Sequence, residues 1–107
     1  MAQVIWTPGA LSDINDIASY IALDSPFHAG QQVLRILSAE DLITQFPGGG
    51  RMVPEMRNKA FREVILPPYR VIYHFDVRKD VAGILAVIHS RRLLRGALIR
   101  RRRASGR

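Results

Sequence analysis

The spacing of the apolar residues changes along the chain, from a helical period in its first half to alternation in its second half. Amphipathic helices repeat apolar residues every three or four positions, whereas half-buried strands repeat them at every second position. The change occurs after three consecutive glycines, at residues 48–50. The chain therefore predicts helices followed by a β-sheet, and its 107 residues suit one compact domain.

Two helices are predicted in the first half, and each begins with a hydroxyl residue followed by proline. Thr7-Pro8 and Ser25-Pro26 place a capping side chain before a proline, whose missing N–H costs nothing at the first helical position. The second helix is expected to end before Phe46. Apolar stripes run along both helices at Leu11, Ile14, Ile17, Ala18 and Ile21, and at Ala29, Val33, Ile36, Leu37 and Ile43. Their short connection predicts an antiparallel helical hairpin.

Three strands are predicted in the second half, at Ala60–Leu66, Tyr69–Asp76 and Val81–His89. Prolines at 67 and 68 and a polar turn at 78–80 separate them, which favours an antiparallel meander. Tyr69, Val71, Tyr73 and Phe75 share one face of the middle strand, and Gln3–Trp6 is a further strand candidate. The helical hairpin must cover one face of this sheet, so we expect a two-layer α+β fold.

The positive charge is concentrated at one end of the chain. Residues 1–50 carry a net charge of −4, residues 51–90 carry +3, and residues 91–107 carry +8, which gives +7 in total. Clustered cations attract polyanions or an acidic partner more strongly than the average charge suggests. We therefore divide the chain into a folded domain at residues 1–92 and a basic, partly disordered C-terminal tail at residues 93–107.

The composition excludes several classes of function. The chain has no cysteine, so disulfides and thiolate chemistry are ruled out. Its three histidines share no metal-ligating spacing, and the glycine run lacks the Lys-Ser/Thr of a phosphate-binding loop. No apolar stretch is long enough to span a membrane, and we see no signal peptide. We expect a soluble cytoplasmic protein without a metal or a cofactor.

The candidate chemistry lies in the second half of the chain. Glu55, Arg70 and His89, with Arg51 and Arg62, could share one sheet face and act on a phosphodiester. Glu55 would then take a proton from a ribose 2′-OH, Arg70 would hold the phosphate, and His89 would protonate the leaving oxygen. The alternative is that Arg62 and Glu63 make ordinary surface or cross-strand ion pairs without catalytic meaning.

Four segments resemble the ParE/RelE superfamily, the toxins of bacterial type II toxin–antitoxin modules. They read WTPGALSDINDIASYIALDSP, FPGGGRMVPE, FREVILPPYRVIYHF and ILAVIHSRR, and the resemblance covers roughly residues 4 to 92. It implies a helical hairpin on a small antiparallel sheet. It also implies a cognate antitoxin, whose acidic, initially disordered segment would cover the toxin in a hetero-oligomer, such as a heterotetramer.

The resemblance leaves two targets open. ParE-type members inhibit DNA gyrase, whereas RelE-type and YoeB-type members cut mRNA on the ribosome. The long hairpin resembles ParE, but Glu55, Arg70 and His89 fall where a YoeB-like nuclease carries its base, its phosphate-binding arginine and its acid. An aromatic residue usually follows that histidine in such nucleases, and here Ser90 follows it. We favour a ParE-like gyrase inhibitor that blocks replication, with a ribosome-dependent endoribonuclease as the alternative.

In both interpretations, surface arginines are expected to bind the target or its phosphates, namely Arg51, Arg62, Arg91 and Arg92. A third interpretation is a plain nucleic-acid-binding domain that acts through its basic tail. Binding of that kind would be salt-sensitive and indifferent to sequence. The tail has no aromatic residue on which bases could stack, which makes this interpretation the least favoured.

Overall fold

The helices and strands occur in the predicted order within residues 1–91, the part of the chain that the computed structural model describes. The first strand of a five-stranded sheet precedes three helices, and the other four strands follow them. In chain order the elements are β1 (Gln3–Trp6), α1 (Pro8–Ala22), α2 (Pro26–Leu37), α3 (Ala39–Gln45), β2 (Arg51–Met52), β3 (Phe61–Leu66), β4 (Tyr69–Asp76) and β5 (Val81–His89). The predicted α+β class is confirmed.

Both predicted helix starts are present. The Thr7 hydroxyl accepts a hydrogen bond from the backbone N–H of Ala10 at 3.3 Å, and the Ser25 hydroxyl accepts one from His28 at 3.2 Å. These bonds satisfy amide groups that have no partner within the first turn of a helix. Thr7 is buried, and its hydroxyl also donates to the carbonyl of Ile84 at 2.7 Å. The cap of α1 therefore attaches that helix directly to β5.

The second predicted helix is divided in two, so the prediction of one continuous helix was wrong. The break lies at Ser38, between α2 and α3. The Ser38 hydroxyl donates a hydrogen bond to the carbonyl of Arg35 at 2.5 Å. A serine that bonds back to the preceding turn competes with the helical ladder and bends the helix. The bend turns α3 toward β1, and Ala39 and Ile43 are buried there.

The sheet has the order β1-β5-β4-β3-β2. The predicted meander of β3, β4 and β5 is antiparallel, as expected. Two strands extend it: β1 pairs in parallel with β5, and β2 pairs antiparallel with β3. The sequence gives little signal for β2, because a strand of two residues shows no alternation. Its pairing places Arg51 opposite Glu63.

Each face of the sheet has its own apolar cluster. The helix-covered face carries the larger one, to which Val71, Tyr73 and Ile84 contribute from the strands and Ile36 and Ile43 from the helices. Tyr69 and Phe75 also pack there, so the predicted shared face of β4 is confirmed. The other face, here called the loop-covered face, carries a smaller cluster of Val53, Phe61, Ile72, Leu85 and Ala86, against which Met56 packs.

Residues 92–107 lie outside the described part of the chain. The predicted basic tail and the binding role of Arg92 therefore stay predictions. Among the helices of residues 1–91, none combines the length and the apolar character required to cross a bilayer.

Candidate functional site

Arg70 lies on the loop-covered face of β4, and two glutamates bind its guanidinium group. Its Nη1 and Nη2 donate to the two carboxylate oxygens of Glu55 at 2.9 and 2.8 Å, and its Nε donates to Oε1 of Glu63 at 2.6 Å. The pairing with Glu55 is bidentate, the strongest geometry for an arginine and a carboxylate. Because Glu55 belongs to the segment between β2 and β3, this pair holds that segment against the sheet.

Glu63 connects Arg70 to Arg51. The side chain of Glu63 is fully buried, and its Oε2 accepts a hydrogen bond from Nε of Arg51 at 2.7 Å. Arg51 itself is exposed over 61% of its side chain. We call these four residues, Arg51, Glu55, Glu63 and Arg70, the Arg–Glu network. The two guanidinium groups balance the two carboxylates in charge, which makes the burial of Glu63 tolerable.

The network holds Arg70 firmly in its charged form. Hydrogen bonding to Glu55 raises the pKa of Arg70 above its ordinary value, and Glu63 acts in the same direction, whereas burial opposes the shift. Each nitrogen of the guanidinium group already donates to a carboxylate oxygen. Three of its five N–H groups thus donate to carboxylates, and Arg70 is only 5% exposed, so a phosphate would compete with the glutamates for it.

Two predicted site residues within residues 1–91, Arg62 and His89, lie on the other face of the sheet. Arg62 alternates with Phe61 and Glu63 on β3, so its side chain leaves on the helix-covered side, where it donates to the carbonyl of Gly50 at 3.1 Å. His89 pairs with Tyr69 in the β4–β5 register, and their rings meet edge to face at 6.3 Å between centroids. Strand alternation thus contradicts the prediction that these side chains share one face with Arg70. Of the predicted site residues that the structure describes, Glu55, Arg70 and Arg51 come together.

His89 and Arg91 lie at the end of β5. Nδ1 of His89 accepts a hydrogen bond from the backbone N–H of Arg91 at 3.2 Å, and both residues are exposed. Glu63 was treated in the sequence as a surface or cross-strand residue, and its burial was missed. Its position in phase with the buried Phe61 on β3 is the signal that could have revealed it.

The glycine run is fixed to the sheet by Tyr73. The Tyr73 hydroxyl donates to the carbonyl of Pro47 at 2.7 Å and accepts from the backbone N–H of Gly50 at 3.2 Å. The Tyr73 side chain thus holds the glycine run against the sheet. Beside it lies a mainly apolar groove of about 460 Å³, whose lining residues include Leu42, Phe46, Ile65, Gly50 and Arg51.

The pH dependence of the fold's stability tests the role of the Tyr73 hydroxyl. Burial raises its pKa above the ordinary value of 10, against the opposing effect of the hydrogen bond from Gly50. The phenol therefore stabilises the fold fully below pH 10, and this contribution is lost as the pH rises through the raised pKa. Replacement by phenylalanine is expected to cost about 1 kcal/mol at neutral pH. Thermal unfolding of Tyr73→Phe and the native chain should converge above pH 10, whereas Tyr20→Phe, at an exposed position, should match the native chain throughout.

A metal centre finds no support in residues 1–91, where no group of three or more His, Asp or Glu side chains is arranged to hold an ion. The Arg–Glu network is instead a set of ion pairs. Its chemistry is that of a structural clamp with one exposed member, Arg51.

Comparison with known proteins gives consistent matches. Residues 4–94 match the family described as the ParE toxin of the type II toxin–antitoxin system parDE. The chain is 36% identical to "Toxin RelE2" of Caulobacter vibrioides, over 87% of this chain and all of that protein. It is 34% identical to "Putative toxin Y4kP" of Sinorhizobium fredii, over 82% of this chain and 88% of that protein.

A solved structure described as the chromosomal ParDE TA system from P. aeruginosa has the same fold. The TM-score is 0.68, and the match covers 83% of this chain and 96% of that one. The sequence identity is 22%, so this similarity speaks for the fold alone.

Proposed function

Since the chain belongs to the ParE toxin family of type II toxin–antitoxin systems, we propose that it arrests growth by binding DNA gyrase in the bacterial cytoplasm and inhibiting it, without cutting nucleic acid. The observation that carries this proposal is the state of the candidate nuclease residues. Glu55 and Arg70 bind each other, and His89 leaves β5 on the opposite face.

Phosphodiester cleavage requires a base, an acid and a positive charge around a single phosphate. Acid–base groups must lie within hydrogen-bonding reach of the protons that they transfer. In this chain a base at Glu55 would have to leave a bidentate ion pair, and an acid at His89 would have to act across the sheet. Inhibition by binding needs neither rearrangement, which favours the gyrase proposal.

The end of the helical hairpin offers a surface for such binding. Tyr20, Leu23 and Phe27 lie where α1 meets α2, with 78%, 86% and 70% of each residue exposed. We call these three residues the hairpin tip. Exposed clusters of large apolar side chains commonly mark protein–protein contacts, and aromatic residues are frequent anchors in them. The tip therefore supports a target that is a protein.

A cognate antitoxin would neutralise the toxin by covering the groove beside α3. The groove combines exposed apolar side chains, Leu42 and Phe46, with the exposed guanidinium group of Arg51. An acidic segment that orders on binding could bury Leu42 and Phe46 and pair with Arg51. The ParDE description of the P. aeruginosa structure supports an antitoxin partner, and we propose a heterotetrameric complex.

A second candidate function is ribosome-dependent mRNA cleavage. It is favoured by the name of the Caulobacter relative, RelE2. In this mechanism the ribosome would have to separate Glu55 from Arg70 and bring His89 to the same phosphate.

Growth arrest by two variants separates the candidates. Glu55→Gln with His89→Ala removes the proposed base and acid, so we expect full toxicity from a gyrase inhibitor and a loss of at least 100-fold in cleavage from a nuclease. Serine at all three positions of the hairpin tip should raise the concentration needed to inhibit gyrase supercoiling by about tenfold or more.

The measurements are supercoiling by purified gyrase and cleavage of ribosome-bound mRNA, with thermal unfolding to confirm that each variant folds. The gyrase proposal fails if the native chain leaves supercoiling unchanged at micromolar concentration. It also fails if the Glu55 and His89 variant loses toxicity while it keeps its stability.

A further inference from the structure

Three cations near the start of β3 have no balancing carboxylate. The Arg–Glu network pairs Arg51 and Arg70 with the acids of this region, Glu55 and Glu63. Within residues 1–91, no ion pair is formed by Arg57, Lys59 or Arg62. We call residues 57–62 the basic loop. Its charge is therefore available to a ligand.

The backbone of the basic loop is ordered by local hydrogen bonds. Asn58 accepts a hydrogen bond on Oδ1 from Ala60 N–H at 2.9 Å, and its carbonyl accepts one from Phe61 N–H at 3.0 Å. The Nε of Arg62 donates to the carbonyl of Lys59 at 2.8 Å. Arg57 has a positive φ of 49°, which turns the chain sharply at this point. Arg57 and Lys59 thus lie on one tight turn, and the Arg62 side chain is bonded back to that turn at the Lys59 carbonyl.

A second turn in the chain also carries two cations, but carboxylates balance their charge. Arg78 and Lys79 connect β4 to β5, but Asp76 and Asp80 flank them. The backbone N–H of Lys79 donates to Asp76 at 3.1 Å, and this bond is the main cause of the lowered pKa of the Asp76 carboxyl. The β4–β5 turn therefore carries two cations and two anions. It serves as a matched control for the basic loop.

We propose that the basic loop binds the sugar–phosphate backbone of duplex DNA, so that the toxin engages its target while that enzyme holds DNA. The engagement of gyrase while it holds DNA rests on the proposed function, whereas DNA binding by the basic loop does not. Lysine and arginine on an exposed turn suit phosphate contacts, which carry no base specificity. The aromatic residue of the loop, Phe61, is buried, with 8% of its surface exposed, so it offers no platform for single-stranded bases.

Salt dependence measures the contribution of the loop in the full-length chain. The logarithm of the binding constant falls with the logarithm of salt concentration by about 0.9 for each phosphate neutralised on duplex DNA. Arg57→Asn with Lys59→Gln removes two cations, and asparagine tolerates the positive φ at position 57. We expect the slope for a short duplex, measured by fluorescence anisotropy, to become shallower by about 2. The arginines of the tail are present in all variants and do not affect this difference.

The control variant is Arg78→Asn with Lys79→Gln, which should keep the native slope. The proposal is overturned if the loop variant also keeps the native slope, because the tail alone would then bind DNA. It is equally overturned if the slope becomes shallower by the same amount in both variants. A loop variant that loses affinity for single-stranded RNA or an acidic peptide, and not for duplex DNA, would overturn it as well.

Gyrase supercoiling in the presence of the same variants tests whether the toxin engages gyrase while it holds DNA. The loop variant is expected to need a several-fold higher concentration for inhibition, and the control variant is not. If the native chain fails to inhibit gyrase while the loop-dependent salt slope persists, the proposed function fails and the DNA-binding inference stands.

Discussion

Replacement of Arg70 by methionine is expected to lower the free energy of unfolding by about 3–5 kcal/mol, the usual cost of removing one partner of a buried ion pair. Methionine fills much of the same volume but leaves the carboxylate of Glu63, which is fully buried, without its internal partner. Arg51 can neutralise only part of this charge, because most of its side chain lies in solvent. Urea or thermal unfolding provides the measurement.

A double variant keeps this prediction testable if Arg70→Met fails to fold. Arg70→Met combined with Glu63→Met removes both buried charges, and paired removal is often neutral where single removal is not. We expect the double variant to recover most of the lost stability. Glu55→Gln, which leaves the Arg70–Glu63 pair intact, should cost no more than about 1–2 kcal/mol. A loss below 1 kcal/mol for Arg70→Met alone would contradict the structural role of the network.

The Arg–Glu network also bears on the choice between gyrase inhibition and mRNA cleavage. If Arg70 mainly stabilises the fold, its replacement should reduce toxicity by lowering the amount of folded protein, whichever target is correct. Loss of toxicity in an Arg70 variant is therefore weak evidence for catalysis. The Glu55 and His89 variant is more informative, because Glu55→Gln leaves the buried Arg70–Glu63 pair intact and His89 lies at the exposed end of β5.

The sequence was sufficient for the elements that show a repeating pattern or a local signal. The helix starts at Thr7 and Ser25 and the meander from β3 to β5 depend on neighbouring residues, so they could be predicted. The parallel pairing of β1 with β5 joins residues 3–6 to residues 81–84, and nothing in four residues specifies such a distant partner. The break at Ser38 was missed because serine is also tolerated within helices.

The site could be predicted in part. Glu55, Arg70 and Arg51 were singled out as charged residues near the start and end of predicted strands, and the fold does bring them together. Alternation could have shown that Arg62 belongs to the other face, since it lies between Phe61 and Glu63 of the loop-covered side. For His89 alternation was not sufficient, because the β4–β5 register shifts between Ile72 and Tyr73. Alternation also places Glu63 in phase with Phe61 on the loop-covered face, but it could not supply the covering of that face by Val53 and Met56.

Replacement of Gly50 by alanine is expected to destabilise the fold by about 1–3 kcal/mol, a cost typical of overpacking. The reason is space and not backbone angle, since no glycine of residues 1–91 has a positive φ. A Cβ atom at position 50 would lie 2.3 Å from the Tyr73 hydroxyl oxygen and 3.0 Å from two ring carbons. Tyr73 is fully buried and its hydroxyl is bonded to Pro47, so it has little freedom to move away.

Gly48→Ala is the matched control, because a Cβ atom there would meet nothing within 4 Å. Its stability should stay within about 0.5 kcal/mol of the native value. Thermal unfolding would distinguish the two variants clearly, since each kcal/mol shifts the midpoint by roughly 4–8 °C in a domain of this size. Tyr73→Phe should partly relieve the effect of Gly50→Ala, because it removes the nearest atom. Equal midpoints for the two alanine variants would mean that the glycine run is only a connector, and that Tyr73 does not fix the wall of the groove.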